Sequence, residues 1–213
     1  MNRNEILAHI DHTNLKPYAT WEDIQRLCEE AIEYNCACVC IPPTYVKRVR
    51  QTYKKLRICT VVGFPLGYSD ATAKLEEVRQ ALMEGADEID MVVNISDVKN
   101  GNYTKVENEI WLLKDFCHGH ILKVIIETCY LTREEKIKLC EVVTRAGANY
   151  IKTSTGFGTG GATKEDIELF KEHIGRDVKI KAAGGISTVE DAEMFLELGC
   201  DRIGTSKVVE LLK

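Results

Sequence analysis

The sequence has no long uninterrupted apolar segment. A membrane-spanning helix needs about 20 consecutive apolar residues, and no run in this chain of 213 residues approaches that length. The N-terminal segment, Met1 to Ile10, is polar and charged, without the apolar core of a signal peptide. We therefore expect no membrane partner and a cytoplasmic location.

The sequence also lacks an excess of basic residues. It contains 28 Lys and Arg against 33 Asp and Glu, a formal net charge of −5. Proteins that bind nucleic acid or anionic membranes through charge carry a basic surface, so we expect neither partner. The apolar fraction of 45% and the charged fraction of 29% are typical of a globular protein. The length suits one substantial domain, residues 1–213.

A second cysteine pair, which a structural zinc site usually needs, is missing. Among the nine cysteines, Cys36, Cys38 and Cys40 alternate along a strand-like run and are expected on one face of it. No further pair follows at metal-ligand spacing. We therefore expect free, mostly buried thiols in a reducing compartment and no metal ion. Cys40, at the end of the run, is the thiol we expect beside a site.

Short apolar runs alternate with amphipathic segments along the whole chain. The runs predict eight strands, at 9–13, 37–41, 58–62, 88–93, 121–126, 148–153, 178–182 and 201–204. Helices are predicted at 1–8, 20–34, 42–53, 69–85, 103–116, 131–146, 163–173, 187–199 and 206–213. Thr20, Ser69, Thr132 and Ser187 are the expected helix caps.

The regular alternation predicts the fold. Strands that are apolar throughout, rather than alternating, indicate a parallel sheet covered by helices. Eight strand–helix units, with no linker or composition shift between them, favour a single (β/α)₈ barrel. An open, doubly wound sheet is the alternative, although it usually has fewer such units.

Several charged residues lie within the predicted strands. Four of them, Asp90, Lys123, Lys152 and Lys181, fall on four consecutive strands. Charges inside apolar strands are costly unless they are paired. They could form a structural ion network, but they recur at the end of the barrel where function resides, which favours a site. A lysine kept neutral there is a nucleophile toward carbonyl groups.

Glycine-rich loops follow the two lysine-bearing strands. Gly156 lies in the loop after Lys152, Gly184 and Gly185 follow Lys181, and Thr205 and Ser206 end the last strand. Loops after the seventh and eighth strands form the usual phosphate site of such barrels, because glycines let backbone N–H groups approach an anion. The sequence therefore predicts a phosphorylated substrate.

Six motifs connect the chain to a known family. They are DHTNLKP at 11–17, VVGFPLG at 61–67, EIDMVVN at 88–94, LKVIIET at 122–128, KTSTGF at 152–157 and KAAGGI at 181–186. On these motifs, which extend over nearly the whole chain, it resembles the 2-deoxyribose-5-phosphate aldolases, Schiff-base aldolases on a (β/α)₈ barrel. The resemblance implies reversible cleavage of 2-deoxyribose 5-phosphate into glyceraldehyde 3-phosphate and acetaldehyde, with no metal or other cofactor.

The resemblance also implies roles for individual residues. Lys152 corresponds to the Schiff-base lysine, Lys181 to a second lysine whose charge favours the neutral nucleophile, and Asp90 to a carboxylate that moves protons through water. The supporting residues are Asp11, Thr13, Cys40 and Lys123. The phosphate-binding residues are Thr155, Gly156, Gly184, Gly185 and Ser206. The chain departs from some relatives at Lys207, where they carry a small residue, so the last phosphate contact stays open.

Two other functions remain possible at this stage. One is a different Schiff-base phosphosugar aldolase or transaldolase, which would differ in the chain length of its substrate. The other is a barrel that binds a phosphosugar without catalysis. The relatives also suggest a homodimer or homotetramer.

Overall fold

Eight short parallel strands form a closed barrel. A computed structural model describes residues 1–207, 209 and 212 of the chain. Its strands pair in chain order, and the first pairs with the last. They are β1 (Ile10–Thr13), β2 (Cys38–Ile41), β3 (Ile58–Val62), β4 (Glu88–Val92), β5 (Ile121–Ile125), β6 (Tyr150–Lys152), β7 (Lys179–Ala183) and β8 (Arg202–Thr205). The predicted barrel is confirmed, and the open sheet is wrong.

Helices cover the outside of the barrel. They are α1 (Arg3–Leu7), α2 (Trp21–Glu33), α3 (Val46–Thr52), α4 (Ala71–Glu84), α5 (Ile95–Lys99), α6 (Tyr103–Phe116), α7 (Arg133–Arg145), α8 (Lys164–His173) and α9 (Val189–Glu197). Two 3₁₀ turns, Pro43–Tyr45 and Thr128–Tyr130, precede α3 and α7. Within the described part of the chain, no helix is long and apolar enough to cross a membrane.

Local capping chemistry explains where several helices begin. Thr20 and Thr132, both predicted as caps, each form a capping box, with Asp23 and Glu135 respectively. Two predicted caps were wrong by one residue: Asp70, not Ser69, precedes α4, and Thr188, not Ser187, caps α9. In the segment 187–191, both Ser187 with Glu190 and Thr188 with Asp191 have capping spacing, so the sequence alone leaves the register ambiguous.

Two further differences concern short segments. Helix α5 was not predicted, because its five residues are too few to show a helical period; the Asn94 side chain caps it by accepting a hydrogen bond from the Asp97 N–H. The predicted closing helix, 206–213, includes residues 208, 210, 211 and 213, which lie outside the described residues.

The barrel separates an outer apolar core from a polar interior. The outer core lies between strands and helices and holds most of the buried aliphatic side chains. A smaller group, Cys38, Cys40, Cys59 and Val61, packs inside the barrel. The interior also contains charged side chains that are at most 1% exposed: Asp11, Glu88, Asp90, Lys123 and Lys181. These charges position the site.

Candidate active site

Strand register brings the predicted lysines and Asp90 together. Asp90 pairs with Lys123 across β4 and β5, and Lys152 pairs with Lys181 across β6 and β7. Because side chains alternate along a strand, residues in such register share a face. Here the face points into the barrel, and all four side chains are at most 3% exposed.

Asp90 is the centre of the arrangement. Its Oδ2 lies 2.7 Å from the Nζ of Lys152 and 2.7 Å from the Nζ of Lys181. Its Oδ1 lies 2.8 Å from the Nζ of Lys123. Although burial opposes ionisation, these three ammonium groups hold the pKa of the Asp90 carboxyl well below its usual range. Asp90 therefore stays ionised and links the three lysines.

Lys181 is held between two carboxylates. Its Nζ lies 2.5 Å from Asp11 Oδ2 in addition to its contact with Asp90. Burial disfavours a charged amine, but the two carboxylates outweigh that cost and raise the pKa of Lys181 well above its usual range. Lys181 is therefore a permanent cation beside Lys152.

Glu88 and Arg202, which the sequence analysis did not identify, form a lower tier of charges that contacts this centre. Arg202 Nη1 lies 2.6 Å from Asp11 Oδ1, and its Nη2 lies 3.1 Å from Glu88 Oε1. Glu88 Oε2 in turn lies 2.7 Å from Lys123 Nζ. Spacing was the available signal, because Glu88 precedes Asp90 by two residues and so faces the same side of β4.

A cavity of about 770 Å³ opens above the charges at the C-terminal ends of the strands. Seven of the predicted site residues line it: Thr13, Lys152, Thr155, Gly156, Gly184, Gly185 and Ser206. The other five, Asp11, Cys40, Asp90, Lys123 and Lys181, are fully buried and do not line it. Among the predicted charged residues, all of which the structure describes, Lys152 is therefore the one that both contacts the ion network and lines the cavity.

One wall of the cavity is backbone. Gly184 and Gly185 have φ angles of 85° and 78°, in the left-handed region that favours glycine. A Cβ atom at Gly161 would lie 2.2 Å from the carbonyl oxygen of Gly184, so the two glycine loops touch closely. The side chains of Lys16, Arg26 and Lys207 line the same cavity. Asp23 and Glu30 line the cavity as well, and Asp23 pairs with Arg26 at 2.8 Å. The glycine wall itself suits an anion because its backbone is accessible, and Lys16 and Lys207 add positive charge to the cavity.

Two predicted threonines have intramolecular partners. The Thr13 hydroxyl donates to the Asp11 carbonyl oxygen at 2.7 Å. The Thr155 hydroxyl donates to the buried carboxylate of Glu127, which also accepts from the Thr155 N–H at 3.1 Å. Lys123, four residues before Glu127, contacts Asp90 and Glu88 rather than Glu127. Glu127 thus orders the loop that follows Lys152.

The cysteines are arranged differently from the prediction that Cys36, Cys38 and Cys40 share one face of a strand. Cys38 and Cys40 lie in β2 and face the barrel interior, but Cys36 precedes the strand and packs against the outer core. Cys59 on β3, which the sequence did not single out, donates to Asp90 Oδ1 at 3.1 Å and accepts from Lys123 Nζ at 3.2 Å.

The geometry supports carbonyl chemistry. An amine at the floor of a cavity, a carboxylate in contact with it and a permanent cation beside it are the groups that a Schiff-base reaction requires. The glycine wall borders the same cavity as Lys152, so a substrate with a carbonyl at one end and a phosphate at the other could contact both.

Comparisons with known proteins agree with this geometry. The model of the DeoC/LacD family aldolases matches residues 6–202. The deoxyribose-phosphate aldolase of Clostridium botulinum (strain Alaska E43 / Type E3) is 66% identical over 214 aligned residues, covering 100% of this chain and 97% of the relative. That of Clostridioides difficile (strain 630) is 56% identical over 209 residues, covering 98% and 95%.

Solved structures extend the agreement to the fold. The tetrameric deoxyribose phosphate aldolase of Aeropyrum pernix superposes with a TM-score of 0.90 at 32% identity, covering 99% of this chain and 91% of that one. With a full-length sequence match, a matching barrel and a lysine-centred site, the chain belongs to the DeoC/LacD aldolase family.

Proposed function

We propose that this chain cleaves 2-deoxy-D-ribose 5-phosphate reversibly to D-glyceraldehyde 3-phosphate and acetaldehyde through a Schiff base on Lys152. The activity follows from membership of the family. We further assign each step to a residue and treat residues 1–213 as one aldolase domain. One observation carries the assignment: Lys152 Nζ reaches the cavity while lying 2.7 Å from Asp90 Oδ2.

The proposed mechanism needs the neutral form of the Lys152 amine, because that form is the nucleophile. Lys152 belongs to a network of four basic side chains, Lys123, Lys152, Lys181 and Arg202, and three carboxylates, Asp11, Glu88 and Asp90. The like charge of Lys181, which contacts the same Asp90 oxygen as Lys152, is the feature that the mechanism uses to that end.

The iminium ion that forms on Lys152 is the electron sink of the reaction. The Lys152 amine adds to the C1 aldehyde of the open-chain sugar, and loss of water gives an iminium ion. The C2–C3 bond breaks, its electron pair enters the iminium to give an enamine, and the C3 hydroxyl loses its proton as glyceraldehyde 3-phosphate forms. Protonation of the enamine at C2 and hydrolysis release acetaldehyde and the free lysine.

Asp90 is the proposed proton carrier for these steps. It contacts the amine directly, and a water molecule between Asp90 and the substrate would let it exchange protons with the carbinolamine and with C2 of the enamine. Lys181 and Lys123 hold its carboxylate in place. Asp11, Thr13 and Cys40 surround this centre as supporting residues.

The glycine wall is the proposed phosphate site. Gly184 and Gly185 offer backbone N–H groups, with Thr155, Gly156 and Ser206 beside them. Anchoring the phosphate there places the aldehyde end of the sugar toward Lys152 across the cavity. Such anchoring converts binding energy into orientation of the reacting carbonyl.

Location and assembly complete the proposal. We expect a cytoplasmic enzyme, since all nine cysteines are free and a reducing compartment keeps them so. We also expect a homodimer or homotetramer, as the Aeropyrum pernix relative is described as tetrameric. Light scattering of the purified protein would give its mass in solution, and a monomer would contradict this expectation.

The first experiment is borohydride trapping with acetaldehyde followed by peptide mass spectrometry. Reduction of the imine fixes a two-carbon adduct on the lysine that formed it, and we expect that lysine to be Lys152. The matched control is Lys152→Ala, which should fold normally, show no adduct and lose about 10⁴-fold or more in kcat.

Other results would assign the site differently. An adduct on Lys181 alone would exchange the roles of the two lysines. A folded wild-type protein that binds the phosphosugar without any adduct would be a non-catalytic binder. Cleavage of a longer phosphosugar in preference to 2-deoxyribose 5-phosphate would indicate a different aldolase of the same kind.

A further inference from the structure

Two interior cysteines and Asp90 form a cluster that the aldol steps do not require as a unit. Cys40 Sγ, Cys59 Sγ and a carboxylate oxygen of Asp90 all lie within 4.8 Å of one another. Cys40 and Cys59 are direct partners across β2 and β3, and Asp90, on β4, pairs with Val61, two residues after Cys59 on β3. We propose that this cluster, the Cys40–Cys59–Asp90 site, binds a thiophilic divalent cation such as Zn²⁺ or Cd²⁺ and that the bound ion inhibits the enzyme.

The spacing of the ligand atoms suits such an ion. A tetrahedral metal with metal–sulfur bonds of about 2.3 Å holds its ligand sulfurs about 3.8 Å apart. The three atoms are already within 4.8 Å, so small side-chain rotations would bring them to bonding distance. Two sulfurs and one oxygen leave a fourth position for water, as in other three-ligand zinc sites.

Replacement of the two thiol protons by a divalent cation also preserves the net charge of the barrel interior. Each thiol releases one proton to solvent as its sulfur binds, and the dication replaces those two protons, so the total charge does not change. Lys123 Nζ already lies 3.2 Å from Cys59 Sγ, and an adjacent ammonium group favours the thiolate that a metal needs. Binding therefore requires no new buried net charge.

The cavity offers a route to the site. Leu15 and Phe64 are partly buried and pack over the interior cysteines, and Leu15 also lines the cavity. A rotation of the Leu15 side chain would open the cysteines to an ion in the cavity. The sequence analysis expected no metal because it found no second cysteine pair; the second thiol comes instead from the neighbouring strand.

Inhibition follows from the identity of the oxygen ligand. The Asp90 oxygen beside Cys59 is Oδ1, 3.1 Å from its Sγ, and this oxygen accepts from Lys123 Nζ at 2.8 Å. An ion bound there displaces Lys123 and withdraws charge from the carboxylate that Lys152 and Lys181 contact through Oδ2, so it disables the proposed proton carrier. This consequence rests on the proposed function, whereas binding of the ion does not, and the two are measured separately.

Binding is tested with CdCl₂ on the intact enzyme, free of chelating reductants. We expect about one Cd²⁺ per chain by equilibrium dialysis, together with ultraviolet absorption from cadmium–thiolate bonds. Cys59→Ser should weaken binding by at least tenfold and reduce the absorption, and Cys40→Ser provides a second variant if the first fails to fold. Cys140→Ser, a buried cysteine on α7, is the matched control and should bind as the wild type does.

The half-buried thiols Cys36 and Cys129 provide the competing explanation. If the double variant Cys36→Ser/Cys129→Ser loses the absorption while Cys59→Ser and Cys40→Ser keep it, the proposed site is wrong. It is also wrong if the wild type shows no absorption.

Inhibition has its own test. Cd²⁺ should block borohydride trapping at Lys152, and a chelator should restore it. Trapping that proceeds with Cd²⁺ bound would refute inhibition, whereas absence of trapping without Cd²⁺ would refute the Schiff-base assignment itself.

Discussion

Lys181 and Lys74 are both fully buried, yet their environments act in opposite directions. Lys181 lies between Asp11 and Asp90 inside the barrel, and its pKa is raised well above the usual range. Lys74 on α4 contacts one carboxylate, Glu109, at 2.9 Å and the carbonyl oxygen of Val92 at 2.8 Å. Burial there prevails over its partners and lowers the pKa of Lys74.

The difference shows what the barrel interior provides. One carboxylate does not compensate for the desolvation of an ammonium group, whereas two carboxylates at 2.5 and 2.7 Å do. Burial likewise raises the pKa of Glu109, so the Lys74–Glu109 pair is poorly matched. The interior network holds charge for chemistry, while the Lys74–Glu109 pair joins α4 to α6.

The largest expected effect comes from replacing Lys181, the interior lysine of this comparison. Lys181→Leu deletes the cation beside Lys152 and with it the like charge on which the proposed mechanism relies. We expect kcat/KM near neutral pH to fall about 100-fold and the rise of the pH–rate profile to move about two units toward alkaline pH. The measurement is kcat/KM from about pH 5 to 10.

Lys74→Met is the matched control for that experiment. It also removes a buried lysine, so it should lower stability, but it should leave the pH–rate profile where it is. If Lys181→Leu likewise left the profile unchanged, the like-charge argument for Lys152 would be wrong.

The same contrast shows what could be predicted from sequence. Asp90, Lys123, Lys152 and Lys181 were found because charges are rare in apolar strands and because barrels place function at the strand ends. Lys74 was not found, since a lysine in an amphipathic helix looks like a solvated one. Its burial depends on how α4 packs, which is tertiary information.

Other misses have the same physical origin. Glu88 and Arg202 begin their strands, and the spacing of Glu88 from Asp90 is a local signal of its face. The contacts of Arg202 with Asp11 and of Glu88 with Lys123 depend instead on how the closed barrel brings strands together. Cys59 stands alone in its strand and becomes a partner of Cys40 through register between β2 and β3. Strand and helix periods are local signals, whereas the lower tier of charges and the thiol cluster depend on which strands are neighbours.

A second test compares acid stability. Lys181, Lys123 and Arg202 hold the pKa of Asp11 below its usual range despite burial. A carboxyl whose folded pKa is depressed contributes stability above the unfolded pKa of about 3.9, and that contribution is lost as the pH falls through the folded pKa. Asp11→Asn should therefore cost about 3 kcal/mol in the free energy of unfolding at pH 7.

The pH dependence of that cost is the informative part. As the pH falls from about 4 toward 2, the wild type begins to lose the contribution of Asp11, so the difference between the two proteins should narrow. Urea unfolding across this range measures it. A difference that is constant with pH would mean that Asp11 acts through packing rather than through its charge.

A third test replaces the poorly matched pair. Lys74→Met/Glu109→Leu removes both buried charges and keeps apolar volume, so we expect stability unchanged or raised by about 1–2 kcal/mol. Each single replacement should instead destabilise the protein, because it leaves a buried group without its ion-pair partner. Thermal unfolding of the three variants completes a double-mutant cycle. A double variant less stable than the wild type would show that the ion pair stabilises the protein more than the apolar replacement does.

The smallest effect is expected at an exposed lysine, Lys207, which lines the cavity beside Ser206. Solvent screens a charge there, so its attraction for a phosphate is worth at most about 1 kcal/mol. Lys207→Ser should therefore raise KM for 2-deoxyribose 5-phosphate up to about fivefold and leave kcat unchanged. Unphosphorylated 2-deoxyribose is the control substrate, and its kcat/KM should not change. An equal loss for both sugars would place Lys207 outside the phosphate site, whereas a loss confined to the phosphorylated sugar, and reduced by added salt, would identify it as the last phosphate contact.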